Sequence, residues 1–503
     1  MKTFKSYFTE ATQEPLDNWQ DLLKNNDMLS TGVNLVREIE KLGGEALIVG
    51  GSVRDILLGK PIKDVDIATN VPLDKVKQHF KWNNIGQSGD FGITMIHYGG
   101  HEFEVANYRA DSETSADNRR PDSVKMVNSF KDDSARRDIT INSMGINSKG
   151  EIVDHQGGIQ DIKDGIIRAV GTPRNRFTED ALRILRTARF ASKYGFEIEA
   201  ETKAAMKELS HLVDEVSKER VQDELTKISN NGAHLANYIS HLDDSGQLER
   251  VLPEVKELQG RKHNPQHHPE GDAYEHTLAC LRASRSSNPA TNIAILFHDL
   301  GKGVGDVVLS KDGHPTYHGH ETDSAKLVKS IGKRLKFSND LTDTLEFAAA
   351  NHMKAHRIYD MSKKKVTKLV NDPNWDVLKD VAYADELSRG DIGYGGVDDF
   401  EKKMADAEAT AAEISQGGGE DGVKKRLKEM IDGHKVMSWT GLRQGQEMGT
   451  ILGATQDWLY SNLDASEEEV KAFVLSTYED IKNETPPTLE ESYDYQLRTY
   501  NEN

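Results

Sequence analysis

Two aspartates one residue apart, Asp64 and Asp66 in "KDVDIAT", carry the first chemistry that can be read in this chain. In a β-strand the side chains alternate, so both carboxylates are expected on one face while Val65 and Ile67 pack on the other. Such a pair can hold Mg²⁺, which prefers oxygen ligands and borrows the rest of its shell from substrate phosphates. Ions held this way activate an attacking oxygen and neutralise a leaving pyrophosphate. Glu102 and Glu104 share a face of "HEFEV", and Glu104 is the expected third carboxylate. Upstream, Gly50 and Gly51 close the apolar run "ALIV" and open "SVRDILLG". Backbone N–H groups of such a turn can approach a triphosphate, and Arg54 adds charge.

A second set lies far downstream. "HHPEGDAYEHTL", "LFHDLGKG", "HGHE", "NHM" and "AYADELSRG" spread His and Asp over residues 267 to 390. His298 and Asp299 are adjacent, so one backbone segment offers a nitrogen and an oxygen ligand. His276 from an earlier helix and Asp385 from a later one complete a His₂Asp₂ shell, which suits a transition metal or Mg²⁺ and leaves positions for a phosphate and a water. His320 and His352 are expected to contact phosphate or a second metal, whereas His314 and His356 read as structural or solvated.

The elements that must position these groups follow from hydrophobic spacing. "TGVNLVREIEKLGG" has helical periodicity and stops on a Gly pair. "ALIV", "SVRDILLG" and "KDVDIAT" read as strand, short helix and alternating strand, and "GITMIHY" with "HEFEVANY" as a hairpin closed through Gly99 and Gly100. From about residue 175 the pattern becomes helix after helix. Turn-rich loops are expected at 261–272, 389–400 and 416–422, residues 1–30 as an extension that docks or stays loose, and a disordered tail from "NETPP" onward. No repeat of fixed period is seen.

Composition bounds the function. With 503 residues, 36% hydrophobic and 29% charged, the chain exceeds what one core serves, and no run approaches the roughly 18 apolar residues of a membrane span. The opening lacks an apolar core of signal-peptide length, and the single Cys280 has no internal disulfide partner, so a reducing cytoplasm is expected. A net charge of -19 argues against indiscriminate coating of nucleic acid and leaves RNA contact to local basic clusters: Arg119 and Arg120, Arg136 and Arg137, the Arg183, Arg186 and Arg189 series, and Lys363 to Lys365.

"GGSVRD-x-LLG" followed by "KDVDIAT" resembles the first motif of the bacterial-type tRNA nucleotidyltransferase (CCA-adding enzyme) and poly(A) polymerase family, a branch of the DNA polymerase β superfamily. "ARRDITINSM", "DHQGGIQDI", "TEDALRILRTARFASKYGF" and "KERVQDELTKI" follow in the family's order. The resemblance implies an α+β chain: a polymerase-β-like head with a small mixed sheet, then a mainly α-helical neck, further helical regions and a tail. It places Arg137 and Asp138 near the sugar and hinge, and assigns base selection to Asp180 and Arg183. A physical reading supports that assignment. On one helix these two residues would be neighbours three apart, and an Asp accepting from an amino group beside an Arg donating to a ring nitrogen selects C and A while failing U and G. Glu179 and Arg186 are expected to orient them.

The spaced "H…HD…D" set resembles the HD phosphohydrolase superfamily, an all-helical fold. A subset of CCA-adding enzymes carries such a domain after the neck, with phosphatase and phosphodiesterase activity toward 2′-nucleotide and 2′,3′-cyclic ends. The stretch 431–452 resembles the family's tail. The expected organisation is an extension (1–30), a nucleotidyltransferase head (31–170), a helical neck (171–250), an HD domain (251–395) and a helical C-terminal region (396–503). The expected activity is addition or repair of the 3′-terminal CCA of tRNA from CTP and ATP. Mg²⁺ is expected at the head and Ni²⁺, Mn²⁺, Mg²⁺ or a similar divalent ion at the HD site, with neither membrane nor DNA as partner. The competing readings are a poly(A) polymerase of the same family and an HD phosphohydrolase whose head only binds RNA.

Overall fold

The computed structural model describes residues 12–84, 92–111, 124–264, 271–389, 396–416 and 419–484. The chain divides into two compact units, Met1–Ala349 and Ala350–Asn503. The architecture is α+β, with one mixed sheet near the start followed mainly by helices. The tail beyond residue 484, Arg119 and Arg120, and residues 265–270, 390–395 and 417–418 of the three expected loops lie outside the described residues; 396–400 and 419–422, expected as loop, open the helices Gly396–Gln416 and Gly419–Met430 instead.

The sheet of the first unit contains β1 (Thr12–Pro15), β2 (Ala46–Val49), β3 (Asp66–Thr69), β4 (Lys81–Asn83), β5 (Ile93–Tyr98) and β6 (His101–Asn107). A separate two-stranded ladder follows, β7 (Arg109–Asp111) with β8 (Val124–Met126), and then β9 (Gly145–Ile146) and β10 (Glu151–Asp154) rejoin the main sheet. Its order is β1-β10-β9-β2-β3-β6-β5-β4. Residues 12–30 thus belong to the head: β1 covers the sheet edge at β10, and two helices follow, α1 (Trp19–Asn25) and α2 (Asp27–Glu40). The Asn26 side chain caps α2 by accepting from the Leu29 N–H at 2.9 Å. Leu29, Val33, Val36 and Ile39 then form a buried stripe that shares a core with Ile48, Ile67, Phe103 and Val105 of the sheet.

Register decides where the chemistry falls. β2 runs antiparallel to β3 with Val49 opposite Asp66, and β3 runs parallel to β6 with Ile67 beside Val105. The turn after β2, Asp66 and Glu104 are thereby gathered at one end of three neighbouring strands. The hairpin forms as its sequence predicts, with Tyr98 opposite His101 and both Gly99 and Gly100 at positive φ. One expectation needs correction. β3 begins at Asp66, so Asp64 precedes the strand and its direction is set by the loop rather than by strand alternation.

Helices α3 (Gly51–Leu57), α4 (Leu73–His79), α5 (Phe130–Ala135) and α6 (Gly158–Asp164) flank the sheet. After α7 (Pro173–Glu179), α8 (Leu182–Tyr194) buries Leu182, Ile184, Leu185 and Ala188. It stops at Gly195 in the left-handed conformation. α9 (Ala200–Glu208), α10 (Lys218–Ile228) and α11 (Gly232–Asp244) continue the helical run. Later in this unit the helix Ala273–Ala283 is capped by Asp272, which accepts from Tyr274 and Glu275 N–H. The helix Pro289–Phe297 is buried from Thr291 onward and delivers His298 at its end.

The second unit is helical. Its last helices, Gly419–Met430, Gly433–Thr440, Gln446–Leu459 and Glu467–Glu484, close around Val423, Val436, Ile451, Leu459 and Val470.

Candidate active site and metal centre

At the end of β2, β3 and β6 lies a cavity of about 760 Å³ lined by Gly50, Gly51, Arg54, Asp64, Asp66, Glu104, Arg137, Asp138, Asp180, Arg183 and Arg186. All the head residues expected from the sequence therefore border one space. Burial pushes the Asp66 carboxyl up to about 7, with the like charges of Glu104 and Asp64 adding to the effect and Arg137 opposing it. Burial also raises Glu104. Three carboxylates bordering one cavity form an all-oxygen donor set that a hard divalent cation fits. Glu102, by contrast, is exposed on its strand and pairs with His97 at 3.3 Å.

Gly50 adopts φ 73°, ψ -128°, and a Cβ there would meet Arg137 Nη1 at 3.2 Å, so the turn needs glycine on both counts. Arg54 is buried. Its Nη1 donates to Asn142 Oδ1 at 2.5 Å, its Nε donates to Asp55 at 3.0 Å, and its guanidinium lies over the rings of Phe190 and Tyr194. It thus ties α3 to α8 while bordering the cavity. Arg137 donates to Asp133 and to the Asn142 carbonyl.

Asp180 and Arg183 do not sit on one helix as expected. Asp180 has an extended backbone, φ -152°, ψ 104°, in the break between α7 and α8, and its carboxylate accepts from the Leu182 N–H at 3.1 Å. The break has a physical cause, since an Asp just ahead of an apolar-periodic run favours capping over helix interior. Both Asp180 oxygens accept from Arg220 of α10, at 3.1 and 2.7 Å. Arg183 donates to Glu179 at 2.7 Å and to the carbonyls of Arg176 and Arg136. Arg186 reaches away from this pair to Asp138 at 2.8 Å. Burial would raise Asp138, but Arg186, Asn142 and the Ile139 N–H outweigh it and hold the carboxyl at about 2.

Sequence reasoning missed Arg220, the buried Arg189–Glu224 pair at 2.5 Å, and the cavity-lining Lys63, Lys193 and Lys227. Arg220 stands 40 residues from its partner, and no local pattern announces a pairing at that separation.

The histidine set of the first unit converges on Asp299. His276 Nε2 and His298 Nε2 lie 3.6 and 3.4 Å from Asp299 Oδ2, and His320 Nε2 lies 3.1 Å from Oδ1. Backbone carbonyls orient two of the rings: Ile295 O bonds His298 Nδ1 and Tyr317 O bonds His320 Nδ1, each at 2.7 Å. Lys302 pairs with Asp299 at 2.5 Å. Burial would raise the Asp299 carboxyl, but Lys302, His298 and His320 hold it well below the usual carboxylate range. Imidazole nitrogens around a carboxylate fit a transition metal.

In the second unit His352 is buried, and Asp385, on the helix Trp375–Ser388, accepts from His356 at 2.8 Å and from Arg389 at 2.6 and 2.8 Å. His356 is accordingly a buried partner of a carboxylate rather than a solvated side chain.

Three family models match: "Poly A polymerase head domain" over residues 46–168, "Probable RNA and SrmB- binding site of polymerase A" over 195–259, and "HD domain" over 273–390. A CCA-adding enzyme of Ligilactobacillus salivarius is 42% identical over 202 residues, 40% of this chain and 50% of that protein. One from Enterococcus faecalis is 46% identical over 194 residues, 39% and 47% of the two chains. The chain thus spans about half the length of these curated relatives. A multifunctional CCA protein of Nitrosospira multiformis is 33% identical over 328 residues, 64% of this chain and 76% of the relative. Among solved structures, the Bacillus stearothermophilus CCA-adding enzyme in complex with CTP shares the fold with a TM-score of 0.60 at 22% identity, covering 92% of this chain and 100% of that one. Among the described residues no helix is long and apolar enough to cross a membrane. Identity of 33% to the Nitrosospira protein, over 76% of that protein's length, places this chain in the family of the CCA-adding enzymes and multifunctional CCA proteins.

Proposed function

We propose that this protein adds or repairs the 3′-terminal CCA of tRNA, using CTP and ATP and releasing pyrophosphate. The observation that carries the proposal is the shared cavity: the carboxylates of Asp64, Asp66 and Glu104 and the side chains of Asp180 and Arg183 border the same space. In this reading Asp64 and Asp66, with Glu104, hold Mg²⁺, which when bound lowers the barrier for the tRNA 3′-hydroxyl to attack the α-phosphate. Gly50, Gly51 and Arg54 face the triphosphate, and Arg137 and Asp138 lie toward the sugar. Asp180 accepts from the amino group of C or A. A carboxylate has about four lone-pair sites, so the two bonds from Arg220 fix its plane without exhausting it. Glu179 holds the Arg183 guanidinium for the ring nitrogen. The lone cysteine suits action in the reducing cytoplasm. Offering each nucleotide singly and together to a tRNA lacking its 3′ triplet tests the reading: CTP alone should add two residues and CTP with ATP three, whereas a long A tract from ATP would mark a poly(A) polymerase.

A second activity is favoured by the convergence of His276, His298 and His320 on Asp299. We propose metal-dependent hydrolysis of 2′-phosphate or 2′,3′-cyclic phosphate ends there. His320 contacts phosphate in this reading. Nickel, manganese, magnesium, cobalt or zinc added to chelator-treated protein should restore hydrolysis of a 2′,3′-cyclic nucleotide; no restoration by any of these ions would end this reading.

A further inference from the structure

One buried group near the histidine set is used by neither activity. Cys280 follows His276 by one helical turn on the helix Ala273–Ala283, so the two side chains share a face. Both are fully buried. Cys280 Sγ lies 3.5 Å from His276 Nε2 and 3.9 Å from Nδ1, and the ligand atoms of His276, Cys280 and His298 fall within 4.8 Å of one another.

The spacing of these atoms is that of neighbouring donors around a small cation. A tetrahedral zinc with a metal–sulfur bond of about 2.3 Å and metal–nitrogen and metal–oxygen bonds of about 2.0–2.1 Å separates neighbouring donors by about 3.4 to 3.5 Å. The contacts here run 3.5 Å from Cys280 Sγ to His276 Nε2, 3.6 Å from that nitrogen to Asp299 Oδ2, and 3.4 Å from Oδ2 to His298 Nε2. Each of these three edges has the length that two donors on one ion have, and His276, Cys280 and His298 are mutually close. The sulfur also changes the ion that is preferred, because thiolates select thiophilic metals and magnesium avoids them.

We propose that Cys280 is a thiolate ligand of the metal held by His276, His298 and Asp299, and that it biases this centre toward zinc or cobalt over magnesium. The inference rests on the metal-dependent phosphohydrolase reading. On binding, the S–H bond breaks heterolytically, its proton leaves to solvent and the sulfur lone pair goes to the metal; no oxidant or reductant takes part.

The test uses the full-length protein stripped with a chelator and reloaded with Co²⁺ or Zn²⁺. Since the chain has one cysteine, a thiolate-to-cobalt charge-transfer band in the near ultraviolet identifies its ligand without further assignment. The band should appear at one thiolate per chain and vanish in Cys280→Ser, and X-ray absorption of the zinc form should show one sulfur near 2.3 Å. Cys280→Ser should weaken zinc binding at least tenfold, about the effect of disturbing a metal's supporting groups, and leave magnesium binding unchanged. The wild-type spectra carry the test even if the variant misfolds. Cobalt bound in a His298-dependent manner with neither the band nor a sulfur shell would overturn the cysteine role and leave the phosphohydrolase reading standing. Absence of His298-dependent metal would overturn both.

Discussion

At the scale of the residue, the head site is defined by charges that repel one another when no cation is present. Burial, Glu104 and Asp64 push the Asp66 carboxyl up to about 7, the signature of a group placed for a partner other than water. Loss of a metal-binding carboxylate removes several kcal/mol of transition-state stabilisation, so Asp66→Ala should lower CTP incorporation by roughly three orders of magnitude, measured under single-turnover conditions. Arg220 acts differently. It fixes the plane of Asp180 through two hydrogen bonds, and losing them leaves the carboxylate free to accept from the wrong edge. Arg220→Ala should therefore reduce the preference for CTP over UTP, read as the ratio of kcat/KM values, by about ten- to hundredfold, as expected for one to three kcal/mol of hydrogen bonding to a charged group. An unchanged ratio would show that Asp180 is held by other means. Asp66 and Glu104 were legible because strand spacing is local, whereas Asp64 reaches the same cavity from the loop ahead of its strand. The position of Asp180 was misread because a capping aspartate and a helical one look alike until the break between α7 and α8 is seen, and Arg220 was invisible because its partnership crosses from one helix to another.

At the scale of the element, strand register and helix clamps convert those residues into a site. The hairpin β5–β6 was readable from alternation and its Gly pair, but the parallel pairing that sets Glu104 beside Asp66 involves strands separated by a helix and a hairpin, beyond any periodicity. The turn from β2 into α3 depends on Gly50 at positive φ with Arg137 close by. Gly50→Ala should cost about 1–3 kcal/mol in strain, seen as a lower unfolding midpoint, together with a raised KM for CTP. The clamp between α8 and the head is the Asp138–Arg186 pair at 2.8 Å, and its pH dependence has a definite sign. The folded carboxyl sits at about 2, below its unfolded value near 3.9, so the folded state binds fewer protons. The pair's contribution is complete above about pH 5 and is lost as the pH falls through about 2, amounting to about 2.6 kcal/mol. Asp138→Asn should be less stable than the parent by about that amount at pH 6, and the two denaturation midpoints should converge toward pH 2. Parallel pH profiles would refute the clamp.

At the scale of the whole molecule, charge and donor chemistry distinguish the two proposed functions. The net charge is -19, yet Arg54, Lys63, Arg109, Arg136, Arg137, Arg189, Lys193 and Lys227 all border the head cavity. An acidic protein that concentrates its cations at one opening recruits a polyanion there and repels it elsewhere. Because counterions are released with each neutralised phosphate, the KM for tRNA should rise steeply and linearly on a log–log plot against salt, while that for CTP, with far fewer phosphates, rises less. The donor sets make the stronger prediction. The head offers carboxylate oxygens alone, and the downstream centre offers imidazole nitrogens around Asp299, so the two should respond to different ions and fail independently. Asp64→Ala should abolish CTP incorporation and leave hydrolysis of 2′,3′-cyclic nucleotides intact, and His298→Ala should do the reverse. After chelation, magnesium alone should restore incorporation at full rate, while hydrolysis should recover further with a transition metal than with magnesium, following ligand softness. Loss of both activities in either single variant, with the fold intact by circular dichroism, would mean that one metal centre serves both reactions.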